Sequence, residues 1–202
     1  MIHVVLLAAP KGAGKTTASV RFAEQARDAG MRIGGILSPA KYDENGHKVG
    51  IDVRDASTGE ERPLAVLESE PRRATVGQYR FVPKTMHWAL ERVMLALAAP
   101  IDVAIVDEIG PLELVKSGGF TPALDWLPSA RATTAILVVR SELLTRLQEH
   151  LDALSPVTIT LTKRNRQEVP VRLFEEVWGA VCRRWNEKRP NPKPPPARRP
   201  GA

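Results

Sequence analysis

Ile2-His3-Val4-Val5-Leu6-Leu7-Ala8 runs straight into Ala9-Pro10-Lys11-Gly12-Ala13-Gly14-Lys15-Thr16-Thr17. A short apolar run rich in Val and Leu suits a strand buried on both faces. The residues after it follow the pattern G-x-x-x-x-G-K-[ST], with Ala9 standing at the first glycine. In that pattern a flexible loop turns its backbone N–H groups onto phosphate oxygens. Its lysine reaches the β- and γ-phosphates, and its hydroxyl ligates magnesium. Gly12 and Gly14 supply the backbone freedom, and alanine is the smallest replacement for glycine, provided its φ is unstrained. From Thr16 to Ala29 the pattern is helical, with Val20, Phe22, Ala23 and Ala26 as core contacts and Gly30 where a C-cap glycine belongs. Strand, glycine-rich turn and helix open an α/β domain, and this context gives the motif its weight. Ala9, Pro10, Lys11, Gly12, Ala13, Gly14, Lys15, Thr16 and Thr17 are the expected nucleotide-binding residues. Lys15 is also expected to act in catalysis, and Thr16 to hold Mg2+.

Downstream, Ile101 to Val106 (IDVAIV) reads as a second buried strand closed by Asp107-Glu108. A phosphate-loop site needs a carboxylate at the C-terminal end of a neighbouring strand to hold magnesium, and Asp107 fits. Glu108 is then placed to orient or deprotonate an attacking water. Glu113, in PLEL, supports the site or lies on the surface. LTKRNR, Leu161 to Arg166, follows the last expected strand. Lys163 is a candidate to lay its stem along a base, and Arg164 or Arg166 to stabilise charge on the transferring phosphoryl group. A solvated turn capped by Asn165 explains the same string. Arg140 and Ser141, after the strand TAILVV, either face the crevice or cap the next helix.

Between these motifs, residues 32–83 change texture. RIGGILS, HKVGIDVRD, RPLAVLE and GQYRFV alternate with turn signals at Glu44-Asn45-Gly46 and Ser57-Thr58-Gly59, which predicts an antiparallel β insertion. The α/β rhythm resumes with a helix from Lys84 to Ala99, ended by Pro100. A helix over Pro122–Leu127, a strand over Thr134–Val139, a helix over Glu142–His150 and a strand over Val157–Leu161 follow. A final helix starts near Pro170, a good first-turn residue, and reaches about Trp185.

The chain has 202 residues, 43% hydrophobic and 26% charged, a globular balance of one-domain size. Residues 1–186 are expected to form that domain and 187–202 a Pro-rich basic disordered tail. Five basic residues and one acid give the tail +4 of the chain's +6, leaving a near-neutral body. That argues against a strong nucleic-acid face on the fold. The tail is expected to solubilise the chain, with weak contact to phosphates or acidic lipid as the alternative. No apolar run is long enough to span a bilayer, and the N-terminus lacks the basic start of a secretory signal, so a cytoplasmic location is expected. The single cysteine, Cys182, excludes an internal disulfide and reads as a buried structural thiol. His3, His47, His87 and His150 have no metal-ligand spacing.

APKGAGKTT, GGILSP, GHKVGIDVRD, VGQYRF, VDEIGPLEL and LTKRNR together resemble the thermostable-type nucleoside-triphosphatase family, which includes human cancer-related members. They occur in the family's order and span nearly the whole chain except the tail. The resemblance implies a three-layer P-loop fold of the RecA-like kind, mostly parallel with helices on both faces. It implies slow Mg2+-dependent hydrolysis of several nucleoside triphosphates, so ATP, GTP, CTP and UTP are the expected partners. By motif position Lys15 and Thr16 carry over as phosphate and magnesium residues, Asp107 as the Walker-B acid and Glu108 as the catalytic carboxylate. Lys11, Pro111 and the extra arginine of Lys163-Arg164-Asn165-Arg166 depart from the common family pattern. A P-loop nucleotide or small-molecule kinase is the alternative, although Pro71-Arg72-Arg73 is the only loop-borne arginine pair inside the domain. A nucleotide-dependent switch or adaptor in cofactor assembly is the second alternative.

Overall fold

A computed structural model describes residues 1–187. The expected tail lies, from residue 188 onward, outside the described residues. The opening reads as expected: β1 (His3–Ala9), then α1 (Lys15–Asp28). Alternate residues of β1 go to opposite sides. Val5, Leu7 and Ala9 join one buried cluster, and Val4, Leu6 and Ala8 join another. That is why the run lacks polar positions. Gly30, at φ 78°, closes α1: its N–H donates to the Arg27 carbonyl and the Met31 N–H to that of Ala26. This 5→2 and 6→1 pair is a Schellman cap.

β2 (Ile33–Leu37), β3 (Ala40–Tyr42), β4 (Lys48–Asp55), β5 (Glu61–Leu67) and β6 (Tyr79–Phe81) make up the next segment. Both expected hairpin turns form, with Gly46 and Gly59 at positive φ. The Asp43 carboxylate accepts from the Asn45 and His47 N–H groups, and that of Asp55 from Ser57 and Thr58. The short strand β3 was not read from the sequence. β2 departs from the antiparallel grouping of 32–83. It pairs in parallel with β7 (Val103–Ile109) on one edge and antiparallel with β4 on the other. The insertion therefore hangs from β2 and extends the sheet.

α2 (Pro83–Ala98) leads into β7, followed by the short α3 (Pro111–Leu114), α4 (Thr121–Trp126) and β8 (Thr134–Arg140). α5 (Leu144–His150), β9 (Val157–Thr160) and α6 (Val169–Glu187) complete the chain. The sheet order is β6-β5-β4-β2-β7-β8-β1-β9, parallel from β2 to β9. Phe22 and Ala26 of α1 pack with Leu173 and Val177 of α6 on one face. Trp88 and Leu97 of α2, Leu124 of α4 and Leu147 of α5 cover the other. Helix, sheet and helix form three layers, as expected. A fully buried side chain such as Phe22 contributes about 2 kcal/mol by leaving water.

Two further local expectations need correction. β7 does not close at Val106 but runs through both acids to Ile109. Asp107 pairs with Val138, and an irregularity at Glu108 precedes the pairing of Ile109 with Val139. Cys182 is half-buried rather than buried. It shares α6 with the stack of Phe174 on Trp178 and the edge contact of Trp178 with Trp185.

Candidate active site

The carboxyl ends of β1, β8, β7 and β2 lie side by side, the position at which open parallel sheets bind ligands. From β1 comes the loop. Ala9 keeps the extended conformation of the strand, so the missing first glycine costs no backbone strain. Gly12 and Gly14 have φ of 74° and 102°, and Gly14 is the residue from which α1 starts. The first N–H groups of α1 thus open onto the loop, where backbone donors and the helix dipole favour an anion. Lys15 is buried, and its ammonium donates to the carbonyls of Ala9 and Pro10 at 3.2 and 3.3 Å. Burial lowers its pKa and Arg140 adds to that, while the charges of Glu108 and Asp107 act the other way.

Asp107, at the end of β7, is fully buried. Its carboxylate accepts from the Ser38 N–H at 3.2 Å, and the Thr16 hydroxyl lies 3.5 Å from its other oxygen. The Ser38 hydroxyl donates to the Asp107 carbonyl. Burial, reinforced by the Glu108 charge, pushes the Asp107 carboxyl up to about 7. A buried carboxyl next to a hydroxyl, raised in pKa by a second acid, gains from a divalent ion that neutralises both. Thr16 and Asp107 therefore fit Mg2+. Among the described residues no cluster of three His, Cys, Asp or Glu side chains could hold a metal. An ion here would complete its shell with water and phosphate oxygens, the habit of Mg2+ rather than of a caged metal.

Glu108 points elsewhere, and its carboxylate accepts from Arg140 Nε at 2.7 Å. Because β8 lies between β1 and β7, its last residue is delivered between Lys15 and the acids. Burial opposes the Arg140 charge, but the hydrogen bond and charge of Glu108 outweigh it and raise its pKa. Arg140 is thus a crevice residue. Glu113 is neither exposed nor free: it accepts from the Gly110 N–H at 2.8 Å and the Phe120 N–H at 3.1 Å, tying down the loop after β7. Burial raises its pKa.

Lys163 and Arg166 are exposed and, among the described residues, make no hydrogen bond or ion pair with the loop or the acids. Asn165 organises their turn. Its carboxamide oxygen accepts from the Thr162 N–H at 2.7 Å, and its amide donates to the Thr160 carbonyl at 3.0 Å. The turn still starts beside the loop, since the Leu161 N–H donates to the Ala8 carbonyl. Ser38 escaped the sequence reading. Its only signal was a polar residue at the carboxyl end of an apolar strand.

A family model described as NTPase matches residues 4–174. The chain belongs to the NTPase family. The nucleoside-triphosphatase THEP1 of Thermofilum pendens is 33% identical over 180 residues, covering 88% of this chain and 97% of the relative. THEP1 of Methanopyrus kandleri is 33% identical over 181 residues, covering 88% and 96%. Among solved structures, a human cancer-related nucleoside triphosphatase superposes with a TM-score of 0.69 at 26% identity, covering 89% of this chain and 98% of that one. THEP1 of Aquifex aeolicus, at 19% identity and a TM-score of 0.62, covers 86% and 98% and shows the shared fold. The three-layer P-loop architecture expected from the sequence is that of these NTPases.

Proposed function

We propose that the protein hydrolyses ATP, GTP, CTP and UTP to the diphosphates and phosphate with Mg2+, in the cytoplasm. The observation that carries this reading is the meeting of Lys15, Thr16, Asp107 and the Glu108–Arg140 pair across three neighbouring strand ends. The amides of residues 12–17 and the Lys15 ammonium bind the β- and γ-phosphates. Lys15 exchanges two loop carbonyls for phosphate oxygens as it does so. Thr16 and Asp107 would hold Mg2+, which would supply charge neutralisation for the phosphates and the leaving diphosphate. Glu108 accepts the proton of the attacking water. Arg140 orients Glu108 and donates to the γ-phosphoryl oxygens as charge builds there, the role the sequence offered to Arg164 or Arg166. Lys163, on the turn beside the loop, borders the base.

Product analysis of the purified protein with Mg2+ and each nucleoside triphosphate tests this. Diphosphate and inorganic phosphate are expected in equal amounts without any acceptor. Glu108→Gln is expected to keep nucleotide affinity and lose turnover by about 10²–10⁴-fold. Equal loss of both would make Glu108 a binding residue. A cavity lined in part by Glu108 and Arg140 favours transfer to an acceptor as a second reading.

A further inference from the structure

Glu108 and Arg140 stand at the mouth of a cavity of about 180 Å³. One water needs only roughly 10–15 Å³ measured as occupiable space, so the cavity exceeds what hydrolysis requires by about an order of magnitude. Its far walls are mostly apolar, with Gln78 and Tyr79 as polar exceptions on the hairpin. Ile51, Leu64 and Phe81 come from the antiparallel extension, Met86 from the start of α2, Leu112 from α3 and Phe120 from the start of α4. Its near end carries Glu108, Arg140, Ser38 and Lys11. An apolar chamber with a few convergent polar groups at one end is how small-molecule sites are built.

We infer that this cavity is an acceptor site for a small, neutral molecule with an apolar body and a hydroxyl group, which takes the γ-phosphoryl group in place of water. The inference rests on Glu108 being the base proposed above. Two observations favour such an occupant over the nucleotide itself or a charged compound. The lining includes Lys11 and Ser38 but neither Thr16, Thr17 nor the turn after β9, so a nucleotide on the loop meets it with its γ end. Apart from Lys11, the charges at the lining are already matched, since Glu108 pairs with Arg140 and Glu113 accepts two backbone N–H groups. Lys11 remains at the phosphate end. The hydroxyl therefore finds an acceptor in Glu108, and the body finds hydrocarbon. In the transfer, the hydroxyl oxygen forms a bond to the γ-phosphorus as the bond from that phosphorus to the β–γ bridging oxygen breaks. The hydroxyl proton passes to Glu108 and then to solvent, and the diphosphate leaves with the bridging oxygen. The products are a nucleoside diphosphate and a phosphomonoester.

Two probes, benzyl alcohol and cyclohexylmethanol, are added to full-length protein carrying ¹³C-methyl methionine. Met86 lines the cavity, while Met94 lies at a separate surface groove and serves as the internal control. A saturable shift of the Met86 methyl without one at Met94 is expected. With Mg-ATP present, ³¹P spectra are expected to show a phosphomonoester growing at the expense of inorganic phosphate. Val76→Trp, on the half-buried hairpin tip at the cavity wall, is expected to remove both signals. Met86→Leu keeps the cavity apolar and should retain the phosphomonoester, which separates loss of the site from loss of the fold. No Met86 shift with either alcohol overturns the inference, as does a shift without phosphomonoester. If inorganic phosphate still forms in those cases, the hydrolase reading stands. If neither phosphate nor ester forms, that reading falls instead.

Discussion

Lys15 Nζ lies 3.2 and 3.3 Å from two carbonyls of its own loop, so its charge is held where the proposed function puts the phosphate oxygens. Lys15→Ala is expected to abolish the thermal stabilisation given by Mg-ATP, and an unchanged shift in a melting scan would refute the assignment. Asp107 makes a second, opposite claim on the fold. Folded, it keeps its proton up to about 7; unfolded, it loses it near its ordinary 3.8. The folded state thus binds more protons between those values, so this group lowers stability as pH rises from about 4 to about 7, with no further change above. Asp107→Asn mimics the protonated form. Its urea midpoint should match that of the parent near pH 4 and exceed it near pH 8, while Mg-dependent nucleotide binding is lost. A difference independent of pH would contradict the buried carboxyl. Arg140→Ala should leave affinity nearly intact and reduce turnover by about 10³-fold or more if its fork meets developing charge. Arg140→Lys, lacking that planar fork, should recover little.

At the scale of elements, β2 is the joint between the parallel sheet and its antiparallel extension. Gly35 sits in its middle at φ 90°, with the Ile105 backbone of β7 where a Cβ would go, and its carbonyl accepts from the Ala56 N–H. Gly35→Ala therefore combines a left-handed backbone with a collision against a neighbouring strand. It should cost at least ~2 kcal/mol, read as a lowered urea midpoint. A neutral substitution would mean that β2 and β7 can part at no cost. The same joint explains the sequence reading of 32–83 as one antiparallel unit. Short β-favouring runs carry no record of their partners, so β2 looks like β4 until the sheet is assembled. β7 misled for a related reason. Two acids look like a strand end, yet Asp107 continues the ladder because Ser38 and Thr16 meet its carboxylate in the interior.

For the whole molecule, one sheet brings the loop, the acids and Arg140 together, so ligand binding should register as global stability. Saturation to about a hundred times Kd adds about 2.7 kcal/mol, which for a chain of this size means roughly 5–10 °C in Tm. Mg-ATP should produce that shift in a scanning melt, and its absence at saturating ligand would remove the nucleotide site. The sequence by itself determined the phosphate loop, the acidic pair and the α/β rhythm, because each is written in contiguous residues whose spacing sets their geometry. The NTPase family followed from the same strings. Which arginine meets Glu108, how Ser38 supports Asp107, and the apolar chamber beside them were decided only by tertiary structure. Arg140 reaches Glu108 because β8 is laid between β1 and β7, and the chamber exists because the extension folds over the end of β7. Both are contacts between strands distant in the chain, and strand order leaves no periodic trace in the residues themselves.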